Sequence, residues 1–235
     1  MNRVQLKNLS KSQLKGNWKT PVLIILVYFL ILFVISSIQE NCISSTGLLI
    51  SFLISLVFEV WGFVGLSNFF LKFIEKDGKS TFKDTLVSKN VLLKSFGFTI
   101  LITIVGAILG LIIGLSIVWL TFSSVFYTSG YLWISILLLI ALTVIISIIS
   151  LAVSMTSYIL IEKEELGLFK AIGLSINMMK GHKWELFVIQ LSFIGWAILC
   201  LLTFGIGFLW LTPYITLTTT NYYKELCKEN DKLLN

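Results

Sequence analysis

Glu59 is the one ionisable side chain that falls well inside a long apolar run, the stretch from Leu48 to Ile74. A carboxylate at the middle of a bilayer-crossing helix costs about 2.5 to 3.5 kcal/mol on insertion scales, so such a group is expected to face an interior, neutralised or hydrogen-bonded. Its chemistry there would be a proton, cation or substrate contact, or a protonated acid bonded to neighbouring hydroxyls. A second polar feature lies between Tyr131 and Ile161, where Thr143, Ser147, Ser150, Ser154 and Ser157 recur at steps of four, three, four and three. That spacing makes one face of a helix polar. Glu59, Ser147, Ser150 and Ser154 therefore form a candidate intramembrane polar site, a seam shared by two helices. The same small hydroxyl residues also let helices approach and hydrogen-bond across, at roughly 0.6 kcal/mol each.

A third pattern is Gly106, Gly110 and Gly114, which read G-x-x-x-G-x-x-x-G and leave a groove without side chains along one helix face. Something is expected to pack there, and a polytopic chain supplies its own helices, so an intramolecular neighbour is expected over a second copy.

Catalytic constellations of the soluble kind are missing. His182 is the only histidine and has no Cys or acidic companion at ligand spacing, and no serine stands in a G-x-S-x-G turn. No phosphate-binding glycine loop ending in Lys-Ser or Lys-Thr occurs, so an intrinsic ATPase is not expected. Cys42, Cys200 and Cys227 lie far apart without C-x-x-C spacing, which signals neither a disulfide framework nor a zinc site. No catalytic residue, metal ligand or cofactor is expected, and the chain reads as a non-enzyme.

The elements that must position these residues follow from composition. The chain has 235 residues, 57% of them hydrophobic and 13% charged, far more apolar than the roughly 45–50% of a soluble domain. It divides into apolar runs of bilayer length joined by short connections. The expected fold is all-α, a polytopic transmembrane helical bundle forming one membrane domain. Spans are expected at about 21–38, 48–74, 96–120, 131–161, 186–204 and 208–222. Thr20 reads as the N-cap of the first, with Pro21 at its first helical position. The last apolar region is interrupted by Gly205 and Gly207 and followed by Pro213, so it is either one span with an outer segment or a tight hairpin of two. Tyr222, Tyr223 and Lys224 favour the hairpin, giving six spans, with five as the alternative.

Orientation rests on the cations. Arg3, Lys7, Lys11, Lys15 and Lys19 precede the first span without an acid, and six spans put all 18 Lys and Arg on that same side. The positive-inside rule makes it the cytoplasm. Residues 1–19 read as a basic orientation signal rather than a packed helix, because Val4, Leu6, Leu9 and Leu14 make no clean apolar face. The net charge of +6 is thus accounted for by topology, and nucleic acid is not an expected partner. Phe169, Ile172, Ile176 and Met179 recur at helical spacing before Gly181, which predicts a short amphipathic cytoplasmic helix ahead of the fifth span. Phe82, Leu86 and Leu93 suggest a weaker second case.

The second half of the chain resembles a bacterial integral-membrane family catalogued as domain of unknown function 975. The resemblance is carried by Ser175 with Met178, Met179 and Gly181, by LSFIGW at Leu191 to Trp196, and by Gly205, Gly207, Leu211, Pro213 and Tyr214. Leu14, Lys15, Gly16, Asn17 and Trp18 also look like the family's opening. Where the family pattern would hold a Pro-Gly pair ahead of Tyr158, this chain has Ala152 to Thr156, so no shared helix break is implied there. The resemblance implies a multi-span helical fold in a bacterial cytoplasmic membrane and no established activity. The expected role is that of an accessory, envelope-stress or toxin-protection factor binding membrane lipids or another membrane protein. The alternative is a small transporter or permease subunit using Glu59 and the hydroxyl face.

Overall fold

The computed structural model describes residues 2–41, 44–126 and 130–230, and among them there is no strand. The helices run in order α1 (Arg3–Leu14), α2 (Lys19–Glu40), α3 (Ser45–Glu75), α4 (Lys89–Phe126) and α5 (Gly130–Val153). They continue with α6 (Thr156–Glu162), α7 (Leu168–Met178), α8 (Lys183–Leu191), α9 (Ile194–Leu202) and α10 (Phe208–Glu229), and a 3₁₀ turn at Phe82–Thr85 precedes α4. Five stretches are long and apolar enough to cross a membrane: Lys19–Glu40, Ser45–Glu75, Lys89–Phe122, Ile136–Glu162 and Lys183–Leu202. These are the first five expected spans. At 38 residues, α4 is about 57 Å long, so it must tilt in or protrude from a core about 30 Å thick.

The last apolar region is a hairpin. After α9 the chain reverses at residues 203–207, where Phe204 and Gly205 take φ of 52° and 85°, a left-handed geometry that glycine adopts without steric cost. Gly207 presses on α9, since an added Cβ would lie 2.7 Å from Cys200 Sγ. The returning α10 is the sixth expected span, but Thr212, Thr216, Thr218, Thr219, Thr220 and Asn221 make it too polar to count with the other five.

That polarity is tolerable because α10 is central. It touches α1, α2, α3, α8 and α9, and Leu211, Leu217, Tyr222, Tyr223 and Leu226 are buried in the two main apolar clusters. Its threonines return their hydroxyls to the helix's own carbonyls, as in Thr218 to Tyr214 at 2.7 Å and Thr220 to Thr216 at 2.8 Å. A helix that satisfies its own polar groups can lie inside a bundle without partners at every turn.

Three local expectations are corrected. Residues 3–14 are a packed helix: Leu6, Ser10 and Leu14, at i, i+4 and i+8, are buried against the bundle. The stripe escaped notice because its middle member is polar, and Ser10 is instead bonded to Asn221, whose Nδ2 donates to Ser10 Oγ at 2.9 Å and to Gln13 Oε1 at 2.7 Å. Secondly, α2 starts at Lys19 with Trp18 at its cap, so Pro21 sits further into the first turn, where no N–H is yet required. Thirdly, the helix breaks at Ser154 and Met155 although no Pro-Gly pair is present. The Ser175 hydroxyl of α7 closes the gap, accepting from Met155 N–H at 3.2 Å and donating to the Ala152 carbonyl at 2.9 Å. It supplies the partners that a continuous helix would have found in its own backbone.

The amphipathic helix expected around Phe169 to Met179 is α7, with Ala171, Ser175 and Met178 buried and Phe169 exposed. Gly181, at φ 84°, turns the chain into α8. Around Phe82 the chain forms only the 3₁₀ turn. Asn68 Nδ2 clamps it by donating to the Asp84 and Leu86 carbonyls at 3.0 and 2.9 Å, and Gly65 lets the Thr85 carbonyl approach α3.

Candidate functional site

A part-open cleft of about 450 Å³ lies where α3, α4, α5, α6 and α10 converge, with Gln190 of α8 at its edge. From α4 it receives only apolar atoms, among them Ile102, Val105, Gly106 and Leu109. Along α5 and α6 the lining changes from Ile146 and Ile149 to Ser150, Ser154 and Tyr158, and Ser67 of α3 with Thr216 and Thr219 of α10 complete the polar end. The volume falls in the range of ordinary small-ligand sites, roughly 300–1,000 Å³.

Of the residues singled out in the sequence, Ser150 and Ser154 line this cleft. Ser147 does not, and its hydroxyl donates to the Thr143 carbonyl of the preceding turn at 2.8 Å. Glu59 is exposed on α3. It shares a stripe with Phe63 and Ser67 at i, i+4 and i+8, but lies two turns before Ser67 and outside the lining, so the seam joining Glu59 to the α5 hydroxyls is not formed. The groove on α4 is likewise open. An added Cβ at Gly106, Gly110 or Gly114 meets nothing within 4 Å, so the intramolecular neighbour expected for this face is absent among the described residues. Gly106 instead widens the cleft. Cys42 lies outside the described residues.

Sequence reasoning missed Tyr158, Gln190, Thr216 and Thr219. The threonine run of α10, with Thr212, Thr216 and Thr220 four apart and Thr219 beside them, was the available signal. It mirrors the serine stripe of α5 and could have been paired with it.

The polar end of the cleft leads into a tighter network. Thr220 Oγ1 and Tyr158 Oη lie within hydrogen-bond distance at 3.3 Å, and the Tyr158 ring stacks on Tyr223 with centroids 4.9 Å apart. Tyr223 Oη donates to Glu162 Oε2 at 2.8 Å. Glu162 also pairs with Lys224, which lies 3.9 Å from Glu75. Burial pushes the nearby Cys227 thiol up, which keeps it protonated and a poor nucleophile. His182 does have acidic companions: Nδ1 lies 3.2 Å from Glu185 and Nε2 3.4 Å from Glu229, the second too distant in sequence for a spacing rule to reveal.

A second helix break, at Ser192 and Phe193, is held from α1. Lys7 Nζ donates to the Ser192 hydroxyl at 3.1 Å and its carbonyl at 3.4 Å, and stands 4.3 Å from the centroid of the Phe193 ring. A cation at the C-terminal end of α8 also meets the negative end of its dipole. Phe193 packs edge-on against Tyr214, centroids 5.2 Å apart, and Tyr214 Oη donates back to the Lys7 carbonyl at 3.3 Å. Burial, then Arg3, lowers the Lys7 ammonium from its ordinary value.

The family model described as "Protein of unknown function (DUF975)" matches residues 1–230. The chain belongs to this family. No curated protein and no solved structure matches it. The residues that carry the family likeness are, in this fold, those that close breaks and turns. Ser175 mends the α5–α6 gap, Phe193 and Tyr214 enclose Lys7, Gly205 turns the α9–α10 hairpin, and Gly16, at φ 86°, turns α1 toward α2. DUF975 membership thus accounts for the architecture and assigns no chemistry to the cleft.

Proposed function

We propose that this chain is a non-enzymatic membrane protein that holds lipid in the cleft between α3, α4, α5 and α10. It serves as an accessory, envelope-stress or toxin-protection factor of a bacterial cytoplasmic membrane. The observation that carries this reading is the lining itself. It holds no Asp, Glu, Lys, Arg or His, so no strong acid, base or nucleophile–base pair stands beside its hydroxyls, while its apolar wall suits a hydrocarbon chain. The cationic connections support an amino terminus and a carboxyl terminus in the cytoplasm.

Native mass spectrometry of the protein released from nanodiscs tests the reading. Lipid adducts are expected on the wild type and lost from Gly106→Trp, whose indole would occupy the cleft; wild-type protein released bare would overturn it. For the orientation, an impermeant thiol reagent added to intact cells is expected to label Cys42 and spare Cys227.

A small transporter is the second reading, favoured by Ser150 and Ser154 lining a part-open cleft. It would gain ground if solute flux in proteoliposomes were lost in the double variant Ser150→Val, Ser154→Val while the protein still folded.

A further inference from the structure

Resting on the lipid-holding reading, we infer that the cleft selects a neutral lipid alcohol of the diacylglycerol type, one chain lying along α4 and its free hydroxyl donating to the cluster where α3, α6 and α10 meet. The first ground is the hydrogen-bond inventory of the lining. Ser67 donates to the Phe63 carbonyl at 2.9 Å, Ser154 to Leu151 at 2.8 Å, Thr216 to Thr212 at 2.9 Å and Thr219 to Ile215 at 3.0 Å. Each hydroxyl has thereby committed its single proton to its own helix and keeps only lone pairs for a guest. These four hydroxyls can only accept from a guest, while Ser150 and Gln190 still have protons to give, so the guest that complements the lining is an uncharged one that both donates an O–H and offers carbonyl oxygens.

The second ground is charge. With no cation in the lining, a phosphate or carboxylate drawn into the cleft would lose its water without gaining a counter-ion, a cost of several kcal/mol for an ion in apolar surroundings. A lipid ammonium would equally lack an anion, since Glu59 stands outside.

The third ground is polarity along the cleft. Ile102, Val105 and Leu109 face Ile146 and Ile149 at one end, and Ser67, Tyr158 and Thr219 stand at the other. A guest is therefore read as a chain with one polar terminus. The missing side chain at Gly106 leaves room for that chain, because nothing lies within 4 Å of where a Cβ would stand.

The test uses the full chain in phosphatidylcholine nanodiscs with two photoactivatable probes, diazirine-bearing diacylglycerol and the phosphatidic acid with the same chains. After irradiation and digestion, diacylglycerol is expected to label peptides covering residues 98–109 and 146–158 on the order of tenfold more than phosphatidic acid, the worth of one or two hydrogen bonds and an avoided buried charge. Gly106→Trp should lose the labelling by both. The near-isosteric pair Thr216→Val and Thr219→Val should narrow the preference and keep the labelled positions. Equal or stronger labelling by phosphatidic acid would overturn the neutral-alcohol assignment and leave lipid holding intact. Labelling of these peptides by neither probe would remove the lipid reading itself, and the wild-type comparison decides both without any variant having to fold.

Discussion

The lobe around α10 and the arm made by α4 and α5 are held in opposite ways. In the lobe, Phe69, Phe70, Met155, Met178, Leu217 and Tyr223 are almost wholly enclosed, and long-range polar bonds tie α1 to α10, α7 to the α5–α6 break, and Lys7 to the α8–α9 break. In the arm, the most apolar window of α4 has none of its residues buried, and Ile104, Leu111, Leu115 and Val118 all point away from protein. The difference teaches where specificity comes from when hydrocarbon is the solvent. Apolar surface alone gives helices little reason to prefer one another over lipid, so the fold is fixed where side chains interlock and polar groups find partners.

If that contrast is sound, damage should scale with interlocking rather than hydrophobicity. Tyr223→Ala removes a buried ring, its stacking on Tyr158 and its bond to Glu162, and is expected to cost about 3–5 kcal/mol, read as a fall in the thermal or denaturant midpoint of the detergent-solubilised protein. Ser175→Ala deletes one oxygen and strands both Met155 N–H and the Ala152 carbonyl, for a loss of about 2 kcal/mol by the same assay. Should it leave the midpoint unmoved, the break would not depend on its seam. Lys7→Met keeps the apolar stem and loses the contacts to Ser192 and Phe193, for about 1 kcal/mol.

Asp84 sharpens the contrast at the water-exposed edge. Burial works to raise its carboxyl, but the bonds from Lys76, the Thr81 amide at 2.8 Å and the Thr81 hydroxyl at 3.2 Å outweigh it and hold the group below its ordinary value. Its stabilising contribution is therefore complete above the unfolded value of about 3.9 and is lost as pH falls through the lower folded one. Asp84→Asn should flatten the acid side of the stability profile slightly, measured by melting below pH 5. The smallest effect is expected in the arm, where Gly110→Ala and Gly114→Ala should cost nothing and gain at most about 1 kcal/mol from helix propensity. A clear loss would show that this face is covered by something in the assembled membrane.

Much of the fold's outline was legible in sequence, because apolar length marks a bilayer-crossing helix whatever surrounds it: α2, α3 and α4 fall where hydropathy places them, and Gly205 with Gly207 marked the hairpin. The seams were not legible. Ser10, Ser175 and Lys7 each act on a residue far along the chain, and a hydroxyl or amine gives no local sign of which distant backbone group it will meet. At the cleft, Ser150 and Ser154 were found by periodicity within one helix, whereas Thr216 and Thr219 required knowing that α10 lies opposite. Glu59 misled for a related reason: its depth in a span was readable and the direction it faces was not, since that depends on where α4 and α10 stop accompanying α3.

Neither residue at the bend between α5 and α6 is a proline, so no ring forbids a straight rod there. The angle is kept by one serine oxygen 20 residues downstream, and it lasts only while α7 stays docked. Any force that lifts α7 off the bundle would free α5 and α6 to fuse into a single unbroken helix and swing the arm as one lever, a freedom that a proline at Met155 would have abolished.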